Sequence, residues 1–504
     1  MGLSGDEFSR RARVGHRLLL QPDAVGPGLL SLVQGLDQPA RRQDRDDSSS
    51  RTFGRESVKR SRRIYLCGYG LARRMADLKT ITDTVHGTIR LDPLTLDLLE
   101  TLELQRLNSI RQLGLTYLVF PGANHSRVEH CLGVGHVAGE MARALGLSDD
   151  ERKLVQAAGL LHDVGHGPFS HTLEHVLSRE LSVDHMHLTQ RIITGHDDNV
   201  SPEDRGAFPD IKRIHEVLET HRVSPAAVAD LIRGPLERGA GLLVPGGRKE
   251  SKRYLAQIIH SPMDADQIDY LMRDAHYTGA SHGTIDFSRL LQTLRTHRGE
   301  LALDRKGLPA LEGMLVARGL MYSSVYFHKT VRIAEEMLAR AVERSDAPIA
   351  EIQKMVDHEL LNWLMHQGPL QREIALRLKY RKLYKRVLAS DRDDLTDATR
   401  AVLASFKDPD ERRRVEDRIA RRAGVKPGQV IVDVPLPELL LSEPRIAKTE
   451  VPILDDGDVK PFSKVSPLGR ALQVRQVVDW VVMVAAPADA VVAVRKASKS
   501  ALFD

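Results

Sequence analysis

The segment 160–171, with the sequence LLHDVGHGPFSH, constrains this chain more than any other stretch. An apolar run from Leu154 to Leu161 predicts a helix, and this helix ends at an adjacent histidine and aspartate, His162 and Asp163. Two glycines and a proline then break the helix, and two further histidines follow in the turn. The segment therefore places metal-competent side chains at a helix end.

His166 and His171 are those two further histidines. Three imidazoles and a carboxylate within ten residues are costly to bury without partners, so they indicate a site rather than packing. Nitrogen and carboxylate ligands together suit one divalent ion such as Mn²⁺, Fe²⁺, Zn²⁺ or Mg²⁺. We therefore predict a metal site here.

The bulk composition is that of an ordinary globular protein, with 42% hydrophobic and 28% charged residues in 504. Two cysteines, Cys67 and Cys131, exclude a disulfide framework and a cysteine-rich zinc site. No secretory signal is evident, and the apolar segment 477–494 is interrupted by charged residues and proline. These features predict a cytoplasmic protein without a membrane span.

Residues 1–74 differ from the rest of the chain. They hold 15 Lys/Arg against 8 Asp/Glu, a net charge of +7, which leaves −2 for the remaining residues. Because segment 38–63 is rich in Arg, Asp and Ser and lacks apolar periodicity, we expect a disordered or low-complexity basic leader. A basic arm that contacts nucleic acid, and a mis-assigned start before Met75, are the alternatives.

The remaining chain predicts a mainly α fold with a small mixed α/β unit at the C-terminus. We expect a strand or hairpin over 80–91, one helix supported by leucines from Leu94 to Leu107, and helices dominating to about residue 343. Loops are expected around 195–209 and 234–252, and a charged helical region over 370–422. Strands at 430–435 and 481–484 belong to the terminal unit. The predicted domains are 75–345, the catalytic core, and 346–504.

A third metal ligand is available in the segment that follows Ser126. Ser126 and Glu129 form a capping-box pattern, which predicts a helix running through His130 to about residue 145. His130 taken alone is better explained as a core histidine, but beside the His-Asp pair it is the natural third ligand. Gly133 and Gly135 inside this helix indicate that another element packs closely there.

The fourth ligand should be a carboxylate, and segment 261–274 offers four. Pro262 fits the first turn of a helix there. On that helix Asp266, Tyr270 and Arg273 share one face, which is natural for a pocket. The spacing does not choose Asp266 over the rival carboxylates, which are Asp264, Asp269 and Asp274.

Another polar helix face carries Arg318, Tyr322 and Tyr326, with Lys329 close by. It is either a solvated helix flank or a phosphate-binding wall, because arginine pairs bidentately with phosphate oxygens.

Two histidines, two aspartates and an open position point to metal-assisted hydrolysis. Imidazoles are then candidates for protonating a leaving oxygen; they are His166, His171 and His185.

The motifs, taken in order, resemble those of the HD-domain metal phosphohydrolases, and most closely the deoxynucleoside triphosphate triphosphohydrolase branch. They are RQLG at 111–114, FPGA at 120–123, SRVEH at 126–130, the histidine-rich segment, 264–274, and YFHK at 326–329. The resemblance spans roughly residues 79–340 and weakens toward the C-terminus. It implies a mostly helical fold.

The resemblance also implies roles for individual residues. The metal ligands would be His130, His162, Asp163 and Asp266. Around the reacting phosphate it places the candidate acids His166, His171 and His185, although His187 stands close to the last. The implied substrate-binding residues are Gln112, Arg127, Tyr270, Asp274, Arg318, Tyr326 and Lys329, with Gln112 and Asp274 on the sugar 3′-hydroxyl.

The implied reaction is dNTP + water → deoxynucleoside + tripolyphosphate, with one divalent metal and an additional Mg²⁺ accompanying the nucleotide. A homo-oligomer and a nucleotide effector are also implied. Where SAM-domain relatives have a phosphate-binding lysine after the metal aspartate, this chain has Gln267, for which Lys329 or Arg273 would compensate. The alternative functions are hydrolysis of another nucleotide or phosphoester, and a scaffold that senses nucleotides or nucleic acid.

Overall fold

The computed structural model describes most of the chain after residue 78. The described residues are 79–181, 184–234, 252–346, 348–391, 395–406, 408–434, 450–473 and 480–502. The predicted leader, residues 1–74, and most of the predicted loop at 234–252 lie outside them. The domain boundaries given above stay predictions.

A β-hairpin opens the described part, as predicted. Strand β1 (Thr80–Asp83) pairs antiparallel with β2 (Gly87–Arg90). Gly87 in the turn has a φ of +71°, a conformation that side chains with a Cβ rarely adopt. The turn of this hairpin faces the helices described next.

Eleven helices follow within the described residues up to 278. They are α1 (Pro93–Leu99), α2 (Leu102–Gln105), α3 (Arg127–Ala144), α4 (Asp149–Leu161), α5 (Ser170–Leu181), α6 (His185–Ile193), α7 (Pro202–Ala207), α8 (Ile214–Thr220), α9 (Pro225–Arg233), α10 (Arg253–Ile259) and α11 (Ala265–Thr278). Short 3₁₀ turns occupy Arg106–Ser109 and Gly114–Leu118.

Helices α3 and α4 pack closely because each presents a glycine to the other. A Cβ on Gly159 would lie 3.0 Å from the carbonyl oxygen of Val134, and one on Gly135 would lie 3.3 Å from that of Gln156. The close approach predicted for the glycines of α3 is therefore confirmed. It brings the end of α4, which carries His162, against α3, which carries His130.

The C-terminal part is mixed, and the predicted fold class is confirmed. Its helices are α12 (Phe287–Thr293), α13 (Leu308–Met321), α14 (Lys329–Glu343), α15 (Ile349–Ile352), α16 (Asp357–Met365), α17 (Pro369–Lys379), α18 (Asp397–Ser405), α19 (Pro409–Ala423), α20 (Phe462–Val465), α21 (Pro467–Gln473) and α22 (Val491–Leu502).

Two small sheets accompany these helices. Their strands are β3 (Leu294–His297), β4 (Glu300–Asp304), β5 (Lys385–Ser390), β6 (Ile431–Asp433), β7 (Pro452–Asp455), β8 (Asp458–Pro461) and β9 (Val482–Ala486). The strand orders are β3-β4-β7-β8 and β5-β9-β6. Both strands predicted for the terminal unit, β6 and β9, are present.

Four local predictions are wrong. The helix expected from Leu94 to Leu107 breaks at Thr101, whose backbone is extended and whose hydroxyl donates to the carbonyl of Leu98. A helix, α7, lies within the loop expected at 195–209, because Ser201 caps it and proline begins it. The helical region expected at 370–422 is interrupted by β5, whose Val387 packs in the terminal core.

The fourth wrong prediction concerns Pro262, which precedes its helix rather than starting it. Asp264 is the N-cap of α11 and accepts a hydrogen bond from the backbone nitrogen of Gln267 at 2.8 Å.

Within the described residues, we find no helix that is both long and apolar enough to cross a membrane.

Candidate metal centre

Three side chains converge where α4 ends against α3. One ligand-competent atom each of His130, His162 and Asp163 lies within 4.8 Å of the others, and all three residues are buried. Asp266, on the first turn of α11, completes the group from the opposite side. Its Oδ1 lies 3.0 Å from Nε2 of His130 and 3.6 Å from Nε2 of His162.

The donor set fits a divalent metal ion. Nε2 of His130 and Nε2 of His162 are buried and have no hydrogen-bond partner among the described residues. Each imidazole uses its other nitrogen for orientation, since Nδ1 of His162 donates to the carbonyl of Gly159 at 2.8 Å and Nδ1 of His130 donates to Asp269 at 2.8 Å. Such outer hydrogen bonds fix the tautomer that leaves Nε2 free to bind a metal.

Both carboxylates of the cluster are held in the ionised form. Burial alone would raise the pKa of Asp163, but His162, His166 and Arg127 outweigh burial and hold that pKa well below its usual range. For Asp266, burial is outweighed in the same way by His130 and His162. The same carboxylates raise the pKa of His162 and that of His130 to about 10, so a divalent ion bound here would displace the protons of these imidazoles.

The rival aspartates of segment 261–274 have other partners. Asp264 caps α11, and Asp269 accepts hydrogen bonds from His130 and from Arg273. Asp274 accepts hydrogen bonds from His125 at 2.8 Å and from Tyr326 at 2.6 Å. Asp266 is therefore the carboxylate of this segment that the structure brings to the cluster.

A row of imidazoles lies beside the cluster. Nε2 of His166 is 3.3 Å from Oδ1 of Asp163, and its ring stacks on that of His185 with centroids 4.3 Å apart. The ring of His171 also lies close to that of His166, with centroids 5.8 Å apart. The structure therefore brings the three candidate acids together.

These imidazoles differ in proton affinity. Burial, reinforced by the charge of Arg127, lowers the pKa of His166 well below its usual range and that of His171 to about 4. Burial also disfavours charge on His185, but its short ion pair with Glu174 raises the pKa of His185. His185 is thus the member of the row that holds a proton most strongly.

Arg127 is the buried cation of the site. Its Nη1 donates to Oδ2 of Asp163, while Nε and Nη2 are buried without a hydrogen-bond partner among the described residues. A buried guanidinium with unpaired donors is expensive unless an anion completes it. Arg127 therefore marks a place for an anionic oxygen next to the metal cluster.

A second polar group surrounds Asp274. Tyr326 and His125 both donate to its carboxylate, and the ring of Tyr277 stacks on that of His125 at 4.5 Å. Gln112 is also buried. Its backbone nitrogen donates to the carbonyl of His125, and its side-chain Oε1 has no hydrogen-bond partner among the described residues. Asp274 and Gln112 are thus both linked to His125, Asp274 through the imidazole and Gln112 through the backbone.

The predicted helix face of Arg318, Tyr322 and Tyr326 is partly wrong. Helix α13 ends at Met321, and Tyr322–Tyr326 forms a π-helical turn, a feature frequent at functional sites. Tyr326 packs edge-on against Tyr270 and Tyr322, with centroids 6.2 and 4.9 Å away. Tyr322 is buried, Tyr270 and Tyr326 are half-buried, and Arg318 is held beside Tyr322.

The two cations expected to replace the missing lysine differ in position. Arg273 is fully buried and paired with Asp269 and Asp83, at 2.9 and 2.8 Å, so it does not compensate for Gln267. Gln267 itself turns back to donate to the carbonyl of Ser261 and to Asp264. Lys329 is exposed at the first turn of α14.

The loop after the His-Asp pair is held by residues distant in sequence. Arg106 donates from Nη1 to the carbonyl of His166 at 2.8 Å and from Nε and Nη2 to three carbonyls at 353–355. Gln353 donates to the carbonyl of Gly165, and Asp357 accepts from the backbone nitrogen of Phe169. The loop at 165–169 is thus fixed by contacts across the predicted boundary at 345.

Several residues around the site were not singled out from the sequence. Glu174 follows His171 by three residues on one helix face, a spacing that does predict proximity. The others lie far from the motifs in sequence and gave no such signal; they are His86, Arg106, His125, Gln353 and Asp357.

Known protein families match this chain in two adjoining parts. The HD domain family matches residues 127–274, which include all four candidate ligands, and the HD associated region family matches residues 285–503. An uncharacterized protein of Methanocaldococcus jannaschii is 30% identical over 433 residues, which cover 83% of this chain and 81% of that protein.

Relatives with an assigned activity match a shorter part. Deoxynucleoside triphosphate triphosphohydrolase SAMHD1 of Homo sapiens is 29% identical over 370 residues, and that of Gallus gallus is 31% identical over 295 residues. These matches cover 62% and 54% of this chain, and 55% and 47% of the relatives, so the chain spans about half their length.

Solved structures have the same fold. The crystal structure of a hypothetical protein from Aquifex aeolicus has a TM-score of 0.59 and 28% identity, and the match covers 83% of this chain and 99% of that one. A phosphohydrolase from Bacteroides thetaiotaomicron VPI-5482 has a TM-score of 0.59 over 81% of this chain, at 23% identity.

Proposed function

This chain belongs to the HD-domain superfamily of metal-dependent phosphohydrolases, in the branch that resembles the deoxynucleoside triphosphate triphosphohydrolases, and from that premise we propose its reaction. The proposed reaction is the hydrolysis of a deoxynucleoside triphosphate to the deoxynucleoside and tripolyphosphate. The observation that carries it is Arg127, whose two unpaired buried donors lie beside the carboxylate of Asp163.

In this proposal His130, His162, Asp163 and Asp266 hold one divalent metal ion. When bound, such an ion polarises a phosphoryl oxygen and lowers the pKa of water. Arg127 pairs with an oxygen of the α-phosphate through Nε and Nη2, two donors that have no hydrogen-bond partner in the described part of the chain.

We assign the proton donor for the leaving 5′-oxygen of the nucleoside to His185. Its short contact with Glu174 favours the protonated imidazole, whereas burial disfavours charge on His166 and His171. His166 and His171 then orient the phosphate oxygens by hydrogen bonds from neutral rings.

In this proposal the sugar lies at Asp274 and Gln112, whose side-chain oxygens accept a hydrogen bond from the 3′-hydroxyl. Tyr326 holds Asp274 in place at 2.6 Å, and Tyr270 forms the adjoining wall. In this proposal the same tyrosine wall excludes a 2′-hydroxyl and so favours deoxynucleotides. Arg318 and Lys329 are proposed to bind the outer phosphates, whose oxygens would also carry the accompanying Mg²⁺.

A second candidate is hydrolysis of another nucleotide or phosphoester by the same metal centre. Gln267 favours it, because its side chain turns toward Ser261 and Asp264 and supplies no cation for a triphosphate.

The expected homo-oligomer and nucleotide effector stay predictions from the family resemblance, and sedimentation with and without dNTPs tests them.

Product analysis tests the proposed reaction. Protein reconstituted with Mn²⁺ is incubated with each dNTP, and the nucleoside, mono- and diphosphates are separated. Deoxynucleoside plus tripolyphosphate, lost in Asp163→Ala, is the expected result. A monophosphate or diphosphate product keeps the metal centre but selects the second candidate. No turnover of any dNTP, alone or in mixtures, contradicts the proposed reaction.

A further inference from the structure

The turn of the β-hairpin reaches the residues behind the metal centre. His86 lies between β1 and β2, and its Nε2 is 2.6 Å from Oδ1 of Asp269. The side chains are 3% and 0% exposed, so water does not compete for this contact. A carboxylate accepts and does not donate when ionised, so His86 is the donor.

Asp269 is the carboxylate that orients His130. Its Oδ2 accepts from Nδ1 of His130 at 2.8 Å, and Arg273 donates to both of its oxygens at 2.9 Å. The lone pairs of this carboxylate are therefore divided among a candidate metal ligand, an arginine of the same helix and a histidine of the hairpin.

The position of His86 is itself fixed by the same network. Asp83 accepts from the backbone nitrogens of Val85 and His86, at 2.9 and 2.8 Å, through one oxygen. Its other oxygen accepts from Nη1 of Arg273 at 2.8 Å. The hairpin turn and α11 are thus joined by two carboxylates and one guanidinium.

Helix α3 leaves room for this arrangement only because residue 133 is a glycine. A Cβ on Gly133 would lie 1.9 Å from Oδ1 of Asp269 and 2.4 Å from Nη2 of Arg273. The Asp269 carboxylate is therefore pressed against the backbone of the helix that carries His130, and its orientation depends on its remaining donors.

We propose that His86 is a positioning residue of the metal centre, which acts by holding the carboxylate of Asp269 against His130. In that orientation Asp269 keeps the proton of His130 on Nδ1 and directs the lone pair of Nε2 toward the metal ion. The inference rests on the metal centre of the proposed function but not on its substrate. Partners in this outer layer commonly change metal affinity by 10–100-fold.

Two amide variants separate the hydrogen bond from general packing. In His86→Gln the side-chain nitrogen reaches about as far as Nε2 and can still donate to Asp269. In His86→Asn the donor is one bond short. We titrate the full-length apoprotein with Co²⁺ and record both the dissociation constant and the visible absorption spectrum, which reports the geometry of the ligands.

The expected result is a dissociation constant about 10-fold higher in His86→Asn, with an altered spectrum, and near wild-type behaviour in His86→Gln. His221→Asn is the matched control, because Nε2 of His221 contacts Oδ2 of Asp97 at the same distance, 2.6 Å, outside the site. Far-ultraviolet circular dichroism verifies that each variant is folded. If His86→Asn does not fold, His86→Leu replaces it.

Three outcomes are distinguishable. Weaker Co²⁺ binding in His86→Asn, or in His86→Leu where that replaces it, with near wild-type binding in His86→Gln, supports the inference. Equal affinity and an equal spectrum in wild type, His86→Asn and His86→Gln overturn it while leaving the metal centre intact. Absence of stoichiometric Co²⁺ binding by the wild-type protein overturns the metal centre and the role of His86 together.

Discussion

Single residues set the proton chemistry of this site. The ring of His166 lies next to two other imidazoles, yet the pKa values of the three shift in different directions. Burial lowers the pKa of His166 and that of His171, the latter to about 4, whereas Glu174 raises that of His185. An imidazole with a raised pKa beside two with lowered pKa values is an arrangement suited to general acid catalysis.

Replacing the carboxylate of Glu174 should therefore change the pH profile. In Glu174→Gln the pKa of His185 falls, so the alkaline limb of kcat moves to lower pH because the proton is lost earlier. Steady-state kinetics between pH 5 and 9 measure it, with Asp97→Asn, which removes the carboxylate partner of His221, as the matched control. An alkaline limb that stays in place would remove His185 from the role of acid.

The same pair also links stability to pH. The pKa of His185 is raised in the folded protein. Its contribution to the free energy of unfolding is therefore complete below the unfolded pKa of about 6.5 and is lost as the pH rises through the folded pKa. Burial would raise the pKa of Glu174, but His185 outweighs it and lowers it to about 2. The contribution of Glu174 is therefore present above about pH 4.3 and lost as the pH falls toward 2.

Asp274 is the residue that should read the sugar. In Asp274→Ala the acceptor for the 3′-hydroxyl disappears and Tyr326 loses its anchor, so we expect the preference for deoxy- over ribonucleotides to fall by about tenfold or more. The ratio of the two kcat/KM values measures this. Tyr326→Phe, which removes only the anchoring hydroxyl, should lower the ratio less, and an unchanged ratio in both variants would refute the assignment.

At the scale of elements, the crossing of α3 and α4 decides whether the ligands meet. In Gly159→Ala the new Cβ would lie 3.0 Å from the carbonyl of Val134 and 3.2 Å from Cα of Gly135, so the helices must separate. We expect a loss of about 1–3 kcal/mol in the free energy of unfolding.

Urea denaturation measures that loss, and Gly313 provides the control. Gly313 lies in α13 with nothing within 4 Å of its Cβ position, so Gly313→Ala should stabilise the protein by up to about 1 kcal/mol. Equal and favourable effects at both positions would show that α3 and α4 are not tightly packed.

The sequence predicted elements best where the signal was local. The capping box of Ser126 and Glu129 fixed the start of α3, and the repeated glycines indicated its close packing. The break at Thr101 and the π-helical turn at Tyr322–Tyr326 were missed because tertiary packing decides them. Contacts such as that of His86 with Asp269 join residues 183 apart, which spacing does not reveal.

At the scale of the whole molecule, Arg106 connects the loop at 165–169 to the segment after residue 345. It is half-buried, and desolvation lowers its pKa to about 10, yet it donates to four carbonyls rather than to a carboxylate. Arg106→Met leaves those acceptors unpaired, and we expect a loss of at least about 3 kcal/mol in the free energy of unfolding.

Urea denaturation again measures the change. Arg289→Met is the matched control, because Arg289 donates to a single carbonyl, that of Lys306, at an exposed position. It should cost no more than about 0.5 kcal/mol. Similar losses for the two variants would mean that the carbonyl contacts of Arg106 do not tie the two parts of the molecule together.

These carbonyl contacts also set an order of events during synthesis. The loop at 165–169 is made early by the ribosome, but Gln353 and Asp357, which hold it, emerge about 190 residues later. At ordinary elongation rates of about 5–20 residues per second, roughly 10–40 seconds pass between synthesis of the loop and synthesis of the residues that hold it. Hydrolytic competence is thereby postponed until most of the polypeptide has left the exit tunnel.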